Sequence, residues 1–272
     1  MVVTTHEDGA PRVERGAPAP AAARIRFEHV DKSFHDKQVL HDISFTASAG
    51  EFIALVGPSG AGKSTLLRLI NRMHKPTSGS ITVLDTSPAD CSRRELQRLR
   101  ARVGFIFQQF GLVGRVTALE NVLMGALSRL RAPRYGIISY PRALRERAVE
   151  MLDRVGLADQ RFQRCDTLSG GQQQRVAIAR TLMQNAAIVL ADEPVASLDP
   201  TASVDVLEML RRLSQEDGFT VVCSLHQVDL ALSHSDRIVA VREGRIILDQ
   251  PTAETTGNDI HSVYRRASES AE

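Results

Sequence analysis

The chain has 272 residues, 43% of them apolar, enough to bury a sizeable core. Its 34 basic and 32 acidic residues leave a net charge of +2, which argues against a dedicated nucleic-acid binder. No apolar run approaches the ~18–20 residues of a membrane span, and Cys91, Cys165 and Cys223 are too scattered for metal-ligand pairs and suit a reducing compartment.

Residues 1–23 are rich in Ala, Pro and Gly, lack the apolar stretch of a secretory signal, and read as a disordered leader. Short strands are predicted at 24–27 and 43–46, and a buried strand at 51–56. The glycine-rich stretch GPSGAGKST follows, and STLLRLINRM then has helical spacing. A further strand is predicted at 78–85. From about 87 to 167 Arg and Leu dominate with helical periodicity, which predicts a helical subdomain inserted into the core. Strands and helices then alternate through AAIVLAD, ASVDVLEMLRRLSQ, FTVVCSL and DRIVAVREGRIIL. Residues 251–272 are polar and read as a C-terminal helix or tail. The expected fold is α/β: a P-loop NTPase core over 24–250 with a mainly parallel sheet, a small antiparallel β region and the helical insertion.

The pattern G-x-x-x-x-G-K-S runs from Gly57 through Gly62, Lys63 and Ser64. A loop made of Gly57, Pro58, Ser59, Gly60, Ala61, Gly62 and Thr65 around these two turns backbone N–H groups inward as an anion cradle, and the helix behind adds its dipole. Lys63 would reach the β- and γ-phosphates and Ser64 would hold Mg²⁺. A glycine-rich turn capping a helix explains the glycines but not a lysine at the helix start. After the apolar run 188–191 come Asp192 and Glu193, at the strand end where open α/β sheets bind ligands. Asp192 would hold Mg²⁺ through its water shell, and Glu193 would orient and polarise the attacking water. In LSGGQQQR, Ser169 is a helix N-cap. Two readings stay open for that motif: a capped helix alone, or a second anion site at its N-terminus.

GPSGAGKST, LSGGQ and ADE, in that order, resemble the ATP-binding subunit of an ABC transporter, over nearly all the chain from Arg24 onward. The resemblance implies further roles. Phe34 would stack on adenine, Gln108 would link the nucleotide and its metal to a membrane partner, Asp199 would cross a dimer and His226 would be a switch histidine. It implies ATP and Mg²⁺, the metal held by Ser64, Gln108 and Asp192, with Lys63, Glu193 and His226 catalytic. It also implies a head-to-tail pair with a second copy, each ATP touching Lys63 of one chain and Ser169, Gly170, Gly171 and Gln172 of the other. Membrane permease subunits and a solute-binding protein would complete the assembly on the cytoplasmic face of the inner membrane, with no nucleic acid. The apolar stretch 110–124, Leu112 and Val113 included, would floor a groove for a permease helix. In QQFGLVGRVTALENVLMGAL, LADEPVASLDP and SLHQVDLA the chain is most similar to the ATPases of phosphonate importers. SLHQVD departs from the commoner Thr-His-Asp at the switch. The other classes in view are importers of phosphate, phosphite or amino acids, exporters, and soluble ABC ATPases of translation or repair.

Overall fold

Two long strands open the described chain, β1 (Ala23–Phe34) and β2 (Lys37–Ser48), paired antiparallel. The computed structural model describes residues 23–130 and 136–269, so the expected leader lies outside it except for Ala23. The sequence suggested only four-residue strands here. The pairing runs on through several register shifts, with His29 at φ 49 and its N–H donated to Ser44 Oγ at 2.9 Å. Such bulges break the period-2 alternation by which a strand is read.

β3 (Phe52–Val56) leads into α1 (Lys63–Ile70), and β4 (Ser78–Val83) returns to pair with β1. α2 (Arg93–Arg102) begins at a capping box between Ser92 and Glu95 and runs directly into β5 (Val103–Ile106). That strand lies inside the stretch expected to be helical. Four apolar residues are too short for periodicity to tell strand from helix, and only pairing with a distant strand settles the matter. The helical part proper holds α3 (Ala118–Leu123), capped by Thr117 and Glu120, and α4 (Arg142–Arg154).

α5 (Gly170–Gln184) is followed by β6 (Ile188–Asp192), α6 (Pro200–Asp217) and β7 (Thr220–Ser224). α7 (Val228–His234), the hairpin β8 (Arg237–Arg242) and β9 (Arg245–Pro251), and α8 (Gly257–Glu269) complete the chain. Of the helix or tail expected after 251, α8 is the helix, and it docks because Ile260 and Val263, three residues apart, are both buried in the main core.

One sheet has the order β2-β1-β4, and the other β5-β6-β7-β3-β8-β9, parallel except for β9. The central strands β3, β6 and β7 are buried along their whole length, so they read as unbroken apolar runs. Alternate residues still face opposite ways. Phe52, Ala54 and Val56 join a core with the helices α3 to α8, while Ile53 and Leu55 pack with α1 and the antiparallel sheet. Every strand of β6-β7-β3 ends at the same edge, and that edge carries the motifs.

Candidate functional site

Two glycines of the loop after β3, Gly57 and Gly62, leave no room for a side chain. Gly57 has φ 143, and a Cβ there would lie 2.0 Å from the carbonyl oxygen of Val241. Gly62, at φ 109, caps α1 without any side-chain hydrogen bond, and the first turn of α1 holds no acid. The orphan N–H groups of that turn and the positive helix end are therefore left for an outside anion. Gly60, Ala61, Gly62, Lys63, Ser64, Thr65 and Glu193 line one cleft of about 230 Å³.

Lys63 is 4% exposed and curls back to donate to the carbonyls of Gly57 at 2.7 Å and Pro58 at 3.0 Å. Burial lowers its pKa, and the charges of Glu193 and Asp192 oppose that shift. An ammonium so placed gains from any phosphate that enters. Ser64 Oγ donates to Asp192 Oδ1 at 2.8 Å, which joins the loop after β3 to the end of β6. Ser224, at the end of the intervening β7, donates to the same oxygen at 3.2 Å and accepts the N–H of Glu193 at 2.8 Å. Arg68, one turn along α1, stands 3.6 Å from Asp192 Oδ2. Glu193 Oε1 meets His226 Nε2 at 2.5 Å. The loops of three adjacent strands thus bring Lys63, Ser64, Asp192, Glu193 and His226 together.

Other expected residues lie elsewhere. Ser169 and Gln172 form a capping box at the start of α5, and with Gly171 they line a separate cleft of about 260 Å³. A Cβ on Gly170 would lie 3.2 Å from Leu198 Cδ2. No residue lines both this cleft and the one at Lys63. Asp199 caps α6, accepting the N–H of Ala202 at 2.9 Å. Gln108 is exposed just beyond β5 and, among the described residues, makes no hydrogen bond. Phe34 ends β1 with its ring edge-on to His74 at 4.9 Å and Lys32 Nζ 4.5 Å above it. Leu112 packs on the main core and Val113 is 46% exposed. A nearby groove of about 500 Å³ takes Gly111 and Met124 from the stretch 110–124 and sets them with Phe105, Phe107 and Leu127 beside polar residues that include Arg100 and Arg180.

A family model described as ABC transporter matches residues 40–196. The chain belongs to the ABC transporter family. The cassette is 51% identical over 251 residues to the phosphonates import ATP-binding protein PhnC of Nocardia farcinica, covering 92% of this chain and 94% of that protein. It is 54% identical over 237 residues to the phosphate-import ATP-binding protein PhnC of Mycolicibacterium smegmatis, covering 87% and 90%. A dimeric ATP-binding cassette solved in a post-hydrolysis state with ADP and Pi superposes with TM-score 0.73 at 34% identity, over 84% of this chain and 98% of that one. The cassette is accordingly an ATP-binding, ATP-hydrolysing subunit of a transporter. Among the described residues, no helix is long and apolar enough to cross a membrane.

Sequence reasoning missed Ser224, Arg68 and Tyr264. Tyr264 on α8 accepts the N–H of Gly57 at 3.1 Å, and its hydroxyl lies 3.5 Å from the carbonyl of His226. No motif announces a residue that reaches the loop from 207 positions away.

Proposed function

We propose that the cassette powers uptake of a phosphonate or a closely related phosphorus oxyanion, working as a pair of copies under a permease on the cytoplasmic face of the inner membrane. A solute-binding protein delivers the cargo to the same complex. Residues 24–250 form the motor, and the groove at Phe107 and Met124 receives the permease. The observation that carries the motor reading is the meeting of Lys63, Asp192, Glu193 and His226 at three neighbouring strand ends, with the Ser169 surface set apart on the same chain.

Within this reading each residue has a task. Lys63 leaves its own loop carbonyls for the phosphates. The Ser64 hydroxyl and Asp192, 2.8 Å apart, are hard oxygen donors that fit Mg²⁺ with water and phosphate oxygens, and Gln108 joins them. The ion supplies charge neutralisation at the phosphates. Glu193 orients water, and His226, already on that carboxylate, holds it in register. Ser169, Gly170, Gly171 and Gln172 serve the ATP of the other copy, Asp199 crosses to it, and Phe34 lies against adenine.

Two substitutions test the motor. Lys63→Ala should cut turnover at least ~10²-fold, as for loss of one strong electrostatic contact. Glu193→Gln should keep ATP binding and accumulate dimers while turnover collapses. Turnover equal to the parent in Glu193→Gln would end the water-orienting assignment. The names of the relatives support the cargo, and the phosphate-import relative favours phosphate as the second reading. A deletion strain should lose growth on a phosphonate as sole phosphorus source and regain it with this gene. Unchanged phosphonate uptake with reduced phosphate uptake would replace the first reading by the second.

A further inference from the structure

A cleft of about 560 Å³ lies at the opposite edge of the parallel sheet from the nucleotide loops. Its walls include Arg102 just before β5, Ala187 just before β6 and Phe219 just before β7. β6, five residues at ~3.3 Å each, puts roughly 15 Å between the two edges. Four arginines line the cleft: Arg24 from β1, Arg102 from the end of α2, and Arg147 and Arg154 from α4.

Only Arg154 is matched by carboxylates. It holds Asp217 at 2.8 Å and Glu216 at 2.9 Å. Among the described residues, Arg24, Arg102 and Arg147 make no ion pair, and the remaining acid in the wall is the exposed Glu150. Helix ends explain part of this arrangement. Arg24 gives one N–H to the carbonyl of Ala187, and Arg147 gives one to Asn185 Oδ1 at 3.3 Å. A guanidinium has five donors, so most remain unused. Arg147 Nε is buried and, among the described residues, has no acceptor. Burial, and then the charge of Arg102, depress the pKa of Arg24. Unspent planar donors around a cleft of this size suit an oxyanion that accepts bidentate contacts.

We propose that this cleft binds a small tetrahedral oxyanion of the phosphate and phosphonate class, held by Arg24, Arg102 and Arg147. The anion would tie α4 of the helical part to β1 and α2 of the core. The proposal stands whether or not the cargo assigned above is right.

Calorimetric titration of the full chain tests it, with the nucleotide site filled by a non-hydrolysable ATP analogue and Mg²⁺ so that the γ-phosphate position is taken. Inorganic phosphate and methylphosphonate are titrated in separate arms at constant ionic strength. Saturable binding of one anion per chain is expected, at least ~10-fold weaker in Arg102→Gln and in Arg147→Gln. The arm that binds more tightly names the source. The Arg102 side chain is exposed and, among the described residues, makes no hydrogen bond, so its variant should melt with the parent and keeps the test readable if Arg147→Gln is unstable. Equal affinity in the parent and both variants, or no saturable binding in either arm, overturns the proposal.

Discussion

Glu193 follows a fully buried strand and sits at φ 51, a left-handed backbone that costs a non-glycine residue about 1–2 kcal/mol. Ser224 holds it there through the Glu193 N–H and steadies Asp192 with the same hydroxyl. Ser224→Ala should therefore lower kcat about 10-fold with little change in KM for ATP, while a melting curve shows the fold intact. Gln174 behaves differently. It is wholly buried on α5, and among the described residues neither amide atom has a partner. Unpaired buried polar atoms cost about 1–3 kcal/mol, so Gln174→Met should raise the melting temperature of the isolated chain by a few degrees. The thiols give a pH test. Burial pushes Cys165 up to about 11 and Cys223 further still, and Cys91 is raised but only half-buried. Alkylation of the native chain at pH 8 should modify Cys91 first, and the buried pair only on unfolding. Lys63, Ser64, Asp192 and Glu193 could be singled out in the sequence because they stand in short motifs of fixed local spacing. Ser224 and Tyr264 could not, because their contacts are made only once distant strands are paired.

At the scale of elements, legibility followed the same division. α6 was readable from its period, with Asp199 and Pro200 at its start and Gly218 at its end. β5 was not, and β1 and β2 were read too short because their bulges hide the alternation. α8 was read as polar because its apolar side is only a narrow stripe around Ile260 and Val263. Its docking reaches the candidate site, since Tyr264 touches both the glycine-rich loop and the His226 backbone. Tyr264→Phe leaves the ring in place and strands the Gly57 N–H. About 1 kcal/mol of stability should be lost, and kcat should fall more than affinity for ATP. A chain ending at residue 256 should show the same kinetic split and a larger drop in melting temperature. If the truncated chain matched the parent in kcat, α8 would be packing alone.

For the whole molecule, Lys63 and Ser169 line separate clefts of one chain, so under the proposed function activity should be a property of pairs. Lys63→Ala and Ser169→Arg chains, each inactive alone, should recover part of the activity when mixed, read as phosphate release against total protein. No recovery at any mixing ratio would count against a shared site. The groove makes a separate demand. Met124→Glu puts a charge on its apolar floor and should weaken capture by the permease at least ~10-fold while the isolated chain keeps its basal ATPase rate. The C-terminal tie has one more consequence, and it is optical. The sequence contains three tyrosines and no tryptophan, so tyrosine emission is not drained by energy transfer to an indole. One of the three, Tyr264, has its hydroxyl bonded to the glycine-rich loop after β3. Seating a nucleotide should alter that bond and shift the near-ultraviolet signal, and the difference between parent and Tyr264→Phe isolates it. The chain thus carries its own unlabelled reporter of an occupied loop.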